Sequence, residues 1–260
     1  RPAWDIAEIA RKQNCSIIHT HTVRAALVGR IAACLTGLPM INHLHSPTSV
    51  DSTRRLQNLF NTVVERAGTV RIAGAVAVSQ SLAMYGVRHG FSRSRMSVVY
   101  NGVPIAGPLA PRSTPRGTWT LGCTALFRPR KGLETMLEAL AILRTDGRDV
   151  RLRAVGRFET PEYEREIHAL VERLALGDLV EWRGFRSDVA AELAAMDLFV
   201  LPSEREGWPN VVTEALASGL RVVATRVGGI PQILDEGTDR ALGMLVPPRD
   251  AEAFAFGDIV

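Results

Sequence analysis

No apolar run in the 260 residues reaches membrane-spanning length; Ala25 to Leu38 is interrupted by Arg30 and reads as a core helix. Cysteine is scarce. Cys15, Cys34 and Cys123 are scattered and odd in number, which excludes a disulfide framework and suits the reduced thiols of a cytoplasm. Aromatics make up 6% of the chain, and no aromatic–basic stacking run or recognised nucleic-acid motif occurs, so no nucleic-acid partner is expected. No G-x-G-x-x-G follows a strand, which argues against an NAD-dependent Rossmann oxidoreductase. No signal peptide opens the chain, and it does not begin with methionine, so a fragment of a longer protein is expected.

The chain is 46% hydrophobic and 22% charged, a globular composition with room for one large or two ordinary α/β domains. Charge is uneven. Residues 1–110 carry 12 Lys+Arg against 4 Asp+Glu, whereas residues 111–260 carry 19 against 23. A basic first half suits anionic headgroups or a diphosphate-linked acceptor, and equally a solvated arginine-rich surface.

Short β-branched runs alternate with helical spacing throughout, the mark of parallel α/β layering. In the first half, strands are expected at Ser16–His19, Pro39–Leu44, Ala75–Val78 and Met96–Tyr100. Helices are expected at Trp4–Gln13, at Ala25–Gly37 with a glycine stop, at 51–67 with Leu56, Leu59, Phe60 and Val63 on one side, and after a Ser79 cap. Residues 107–118, rich in Pro, Gly and Ser, read as a linker, placing domains at 1–107 and 118–260 around a 108–117 connection. The second half gives strands at Trp119–Ala125, Val150–Val155, Val180–Trp182, Leu198–Leu201, Arg221–Thr225 and Leu245–Pro248. Its helices are expected at Leu133–Arg144, Pro161–Leu174 and Asp188–Met196.

The stretch from Leu198 to Gln232 reads as strand, loop, short helix and parallel strand. Ligands of open α/β sheets sit outside the carboxyl ends of strands, and Ser203 to Asn210 is such an end. Pro209 suits a first helical turn, and the free amides of Asn210 to Val212 would favour an anion. Gly207 permits close backbone approach. Glu206 lies on the loop and Glu214 in the helix, so both carboxylates can reach a common cleft and accept hydrogen bonds from sugar or ribose hydroxyls; spacing alone is equally compatible with two solvated glutamates. In the loop Phe127-Arg128-Pro129-Arg130-Lys131-Gly132, three cations beside a helix start form either a diphosphate clamp or a basic surface turn. His19, His21, His43 and His45 form two H-x-H strand ends that could supply metal ligands, but no acidic or cysteine partner is near in sequence, and no metal is expected.

These residues carry a resemblance. Pro202, Ser203, Glu206, Gly207, Glu214 and Ala215 fit P-S-x-x-E-G-x-x-x-x-x-x-E-A. Gly219, Val222, Val223 and Ala224, then Gly228 and Gly229, fit the segments that follow it. The stretch resembles the donor site of retaining GT-B glycosyltransferases of the glycogen synthase-like family, glycosyltransferase family 4. Arg221 and Gln232 depart from its usual proline and glutamate. His19-Thr20-His21, Ser79 and Asn101-Gly102-Val103 are similar to segments of its acceptor-side domain.

The resemblance implies an α/β GT-B fold, two Rossmann-like parallel-sheet domains facing a cleft, with the first strands and glycine-rich loop of the first domain and the closing helices of the second absent. It implies transfer of a sugar from a UDP- or GDP-sugar to a hydroxyl of a saccharide or lipid-linked acceptor, in polysaccharide or glycolipid synthesis. Location would be cytoplasmic, with peripheral contact at the inner membrane face. Glu206 would hold the sugar and Glu214 the ribose, with Gly207, Trp208, Pro209, Asn210 and Val211 around the donor. Lys131, and Arg128 in place of an arginine usual near Leu126, would neutralise the leaving diphosphate. Phe185 and Arg186 would flank the base. His45 matches the histidine that lines the reaction centre. Neither metal nor cofactor is implied, and no D-x-D occurs. A nucleotide-sugar-binding module without turnover, or a related nucleotide-sugar 2-epimerase, stays open.

Overall fold

A computed structural model describes residues 1–47, 72–104, 115–239 and 241–256. The expected helix at 51–67 and most of the expected linker lie outside the described residues. The chain forms two compact units, Arg1–Asn101 and Gly102–Val260.

The first unit is built on a parallel sheet of β1 (Ile18–His21), β2 (Met40–Leu44), β3 (Gly74–Ala77) and β4 (Met96–Val98), paired in chain order. Helix α1 (Pro2–Lys12) buries Ala3, Ala7 and Ala10, one helical face, beside α2 (Val23–Thr36). Small residues Ala26, Gly29 and Ala32 are the buried positions of α2, which ends at Gly37 in the left-handed conformation. Helix α3 (Gln80–Arg88) starts at Ser79, whose side chain accepts from the Leu82 amide at 3.2 Å, as expected of a cap.

In this sheet, two of the expected strands differ by more than one residue at an end. β1 begins two residues later than Ser16 and runs through His21. Its pairing starts where the Ile18 amide donates to the Pro39 carbonyl at 2.9 Å, and Ile18 and Thr20 are buried while Ile17 is exposed. His21, beyond the expected end of the strand at His19, is therefore also a strand residue, sharing one face with His19. β4 stops at Val98, with Val99 and Tyr100 exposed.

The second unit has a six-stranded parallel sheet: β5 (Trp119–Phe127), β6 (Val150–Phe158), β7 (Val180–Gly184), β8 (Leu198–Leu201), β9 (Arg221–Thr225) and β10 (Gly243–Val246). Its spatial order is β10-β9-β8-β5-β6-β7. The connecting helices are α4 (Leu133–Thr145), α5 (Pro161–Arg173), α6 (Val189–Ala194), α7 (Asn210–Ala217) and α8 (Ile230–Ile233), with α9 (Ala251–Phe256) last. Helix α5 has proline in its first turn and a Thr160 cap that accepts from the Tyr163 amide at 3.3 Å.

Two apolar layers sandwich this sheet. Leu198 and Val200 enter the layer with Leu121, Leu137 and Leu140, while Phe199 and Leu201 enter the one with Met196, Val212 and Ile230. All four β8 residues are buried, so this strand is an unbroken apolar run. β5 runs past Ala125 to Phe127 because it pairs with β6 along its whole length, and the Phe127 and Phe158 rings lie 5.3 Å apart at its end.

The order fixes where a ligand fits. The chain winds outward from β5 through β6 to β7, then returns to the other side of β5 and continues through β8, β9 and β10. Adjacent strands β5 and β8 are thus the point where the winding reverses, and their carboxyl-end loops diverge to leave a crevice. Residues 128–132 leave β5 there, and residues 202–209 leave β8.

Candidate active site

The β5 loop is a single 3-10 turn, Pro129–Lys131, closed by Gly132 at φ 66°. A Cβ on Gly132 would stand 2.1 Å from the Pro202 carbonyl oxygen, so side-chain-free backbone is what brings the two loops into contact. The Glu204 amide donates to the Arg130 carbonyl at 2.9 Å. On the other side, Thr225 at the end of β9 donates its hydroxyl to the Ser203 carbonyl, and the Gly229 amide donates to the Gly207 carbonyl at 3.0 Å. Gly228, at φ 58°, passes so close that a Cβ would lie 1.8 Å from the Glu206 carbonyl oxygen. Loops after three neighbouring strands are thereby stitched into one rim.

Lys131 and Glu206 meet on that rim. Lys131 Nζ donates to Glu206 Oε1 at 2.5 Å, and Ser203 Oγ donates to the same oxygen at 2.7 Å. The side chains are 15% and 8% exposed, so water screens the pair weakly. Both bonds fall on Oε1, which orients the carboxylate and leaves Oε2 as the acceptor for a ligand hydroxyl. Beneath them, burial pushes the Cys123 thiol up to about 12, with Lys131 pulling against it and Glu206 adding to it. That thiol is inert at neutral pH.

Glu214 lies in α7, partly buried, and burial alone raises its carboxyl above the ordinary value. Pro209 caps α7 rather than standing inside it, and the Val212 amide donates to the Pro209 carbonyl at 3.0 Å. The first turn therefore offers fewer free amides than the sequence suggested. Gly207 is buried, and Trp208 and Val211 pack part of their surface against the apolar layer of Val212 and Ile230. Asn210 opens the helix.

Arg128 donates to Glu159 at 3.1 Å, across the ends of β5 and β6. A diphosphate would therefore have to draw it from an existing partner. Phe185, after β7, is 74% exposed, an unused aromatic surface at a strand exit. Arg186 lies 3.5 Å from Glu192, at the edge of a network that sequence reading did not foresee. Arg153 donates to Glu192 at 2.8 Å and to Glu181 at 2.9 Å, and Arg183 reaches both acids at 2.9 to 3.2 Å. Hydrogen bonding from Arg183, opposed by burial and aided by Arg153, holds the Glu192 carboxyl below its ordinary range. Charged residues at alternate positions, Arg151 and Arg153 on β6 and Glu181 and Arg183 on β7, were the available signal. Ser203 was visible as part of the motif, three residues before Glu206, but its grip on Oε1 was not.

In the first unit His45 follows β2. His21 Nδ1 and His45 Nε2 are hydrogen-bonded at 2.8 Å, the tautomer deciding which donates. The ring of His43 lies 4.4 Å from His45 and 4.9 Å from His21, and His19 lies 4.5 Å from His21. The two H-x-H ends, separate in sequence, thus come together. Burial first, then the neighbouring imidazoles, hold His43 down at about 4, and the same causes lower His45.

A sheet with this order, with paired acid and cation at its reversal, defines a nucleotide-binding α/β class. The comparisons narrow it. The sequence pattern of glycosyl transferases group 1 matches residues 118–257, and that of glycosyltransferase family 4 matches residues 1–106. The chain belongs to this GT-B glycosyltransferase family. It is similar to N-acetyl-alpha-D-glucosaminyl L-malate synthase of Bacillus anthracis, 29% identical over 248 residues, covering 90% of this chain and 63% of the relative. It is also similar to the lipopolysaccharide core biosynthesis glycosyltransferase LpsE of Rhizobium meliloti, 34% identical over 152 residues, covering 58% of this chain and 42% of that one. Among solved structures, the UDP-glucose complex of Anabaena HepE superposes with a TM-score of 0.83 at 25% identity, covering 97% of this chain and 70% of that one. The chain spans less than two thirds of the length of these curated relatives.

Proposed function

We propose that the chain is part of a retaining glycosyltransferase that moves a hexose-type sugar from a nucleotide diphosphate to an acceptor hydroxyl, in polysaccharide or glycolipid assembly. The observation that carries this is the shielded Lys131–Glu206 pair on the rim where β5 and β8 diverge. Lys131 is a fixed cation in a weakly screened position, suited to charge developing on a leaving diphosphate. On binding, the phosphate displaces Glu206 as the partner of Lys131. Oε2 of Glu206 accepts from a sugar hydroxyl while Ser203 keeps the carboxylate oriented. Glu214 accepts from a ribose hydroxyl, and Arg128 leaves Glu159 to reach the phosphates. The backbone around Gly207, Trp208, Pro209, Asn210 and Val211 lines the sugar side, and Phe185 and Arg186 flank the base. His45 serves the reaction centre, as the family resemblance implies. The leaving phosphate helps deprotonate the acceptor on the face it departs from, so no separate nucleophile is needed.

The HepE complex with UDP-glucose supports a nucleotide-sugar donor, and the lipopolysaccharide core enzyme supports a saccharide or lipid-linked acceptor. Among the described residues no helix is long and apolar enough to cross a membrane. The basic first 110 residues favour peripheral contact with anionic lipid at the inner face, and a cytoplasmic location accords with the scattered cysteines. A second reading is a module that binds nucleotide sugar without turnover. A panel of radiolabelled UDP- and GDP-sugars, incubated with lipid-linked and free saccharide acceptors, separates the two. Transfer with the anomeric configuration retained, measured by NMR of the product, supports the transferase; an inverted product contradicts it, and donor binding without product supports the module.

A further inference from the structure

Four imidazoles gather in the first unit: His19 and His21 on β1, His43 on β2 directly beside His21, and His45 just after β2. One ring nitrogen each from His19, His21 and His43 lie within 4.8 Å of one another. We propose that these three side chains bind a late first-row divalent cation, Zn2+ above all, with His45 as the outer partner that orients His21.

Three features of the cluster support this. The first is donor chemistry. Neutral imidazole suits Zn2+, Cu2+ and Ni2+, whereas Mg2+ and Ca2+ need oxygen ligands. The second is an unmet demand: both ring nitrogens of His43 are shielded from solvent and take no hydrogen-bond partner among the described residues, an arrangement that costs stability unless a ligand answers it. The third is the outer contact. A metal-bound imidazole uses its other nitrogen in a hydrogen bond that sets ring orientation. His21 already makes one, through Nδ1 to His45 Nε2 at 2.8 Å, which leaves Nε2 for the ion. Tetrahedral zinc places nitrogens about 3.3 Å apart. The three atoms, within 4.8 Å of one another, have to draw in to reach that spacing. A three-histidine set keeps a fourth position open for water or another ligand. The site lies wholly in the first unit and does not rest on the transferase proposal.

The test is calorimetric titration of the metal-free, untagged 260-residue chain with Zn2+, then Co2+ with visible absorption as a reporter. The expected result is one Zn2+ per chain, no response to Mg2+ or Ca2+, and visible Co2+ bands. His19→Asn and His43→Asn should each weaken Zn2+ by at least about tenfold, roughly 1.4 kcal/mol, while Cys15→Ser with Cys34→Ser leaves it unchanged. His19 is exposed, so its variant reports even if His43→Asn fails to fold, which circular dichroism decides. Absence of stoichiometric Zn2+ binding overturns the proposal. So does binding that survives His19→Asn undiminished, or binding that is lost only in the cysteine variant.

Discussion

At the scale of single residues, Lys131 and Glu206 depend on each other. Removing the lysine leaves a carboxylate that is 8% exposed with, among the described residues, Ser203 to satisfy it, and an uncompensated buried charge is costly. Lys131→Met should lower stability by about 2–3 kcal/mol, the figure reduced because the lysine keeps some contact with water. The double variant Lys131→Met with Glu206→Leu should recover most of the loss, since no charge is stranded. Urea unfolding followed by tryptophan fluorescence measures both, and a double variant as unstable as the single one would show that packing rather than charge holds the rim. Both residues stood out in sequence as candidates through glycine spacing and the P-S-x-x-E pattern. Their direct contact was not, because 75 residues separate them and only the strand order makes them neighbours. Arg128 shows the same limit: three cations in one loop look equivalent in sequence, yet Glu159 at the end of β6 engages this one.

At the scale of elements, β8 and the β6–β7–α6 network carry distinct predictions. Phe199 is fully buried within an apolar layer between sheet and helices. Phe199→Ala should cost about 3–5 kcal/mol through lost burial and a residual cavity, read as a shift of the urea midpoint at unchanged slope. The network responds to acid. Glu192 titrates below its ordinary value of 4.5 in the folded chain, so folding favours its ionised form. That stabilisation is complete above the unfolded value and is lost as pH falls through the depressed folded one. Thermal melts should weaken below pH 4.5, and Glu192→Gln should flatten that acid limb while lowering stability at neutral pH. An acid limb of unchanged steepness in the variant would assign the loss to other carboxylates. Loop approach gives a third test. Gly132→Ala introduces a Cβ 2.1 Å from the Pro202 carbonyl at positive φ, so it should destabilise by more than about 1 kcal/mol. Elements themselves were largely legible, since period-two runs and glycine or proline stops mark them locally. The ends of β1, β4 and β5 were not, because each is set by its partner strand: Met40 for Ile18, Ala77 for Val98, and Phe158 for Phe127.

At the scale of the whole molecule, the described residues form two parallel sheets. One holds the acid–cation rim at its winding reversal, and the other holds the histidine cluster. The doubly wound class was legible from the alternation of strand and helix, because parallel strands require crossovers. The reversal between β5 and β8 was not, since strand order is a property of the assembled sheet. The most direct measurement is calorimetry of the chain with UDP, GDP and their hexose conjugates, on wild type, Lys131→Ala and Glu206→Ala, each checked for folding by circular dichroism. A donor rim at Lys131 and Glu206 predicts that Lys131→Ala weakens free nucleotide and nucleotide sugar alike by about tenfold or more, roughly 1.4 kcal/mol. It predicts that Glu206→Ala weakens the sugar conjugate selectively. Undiminished nucleotide-sugar binding in both variants would contradict it.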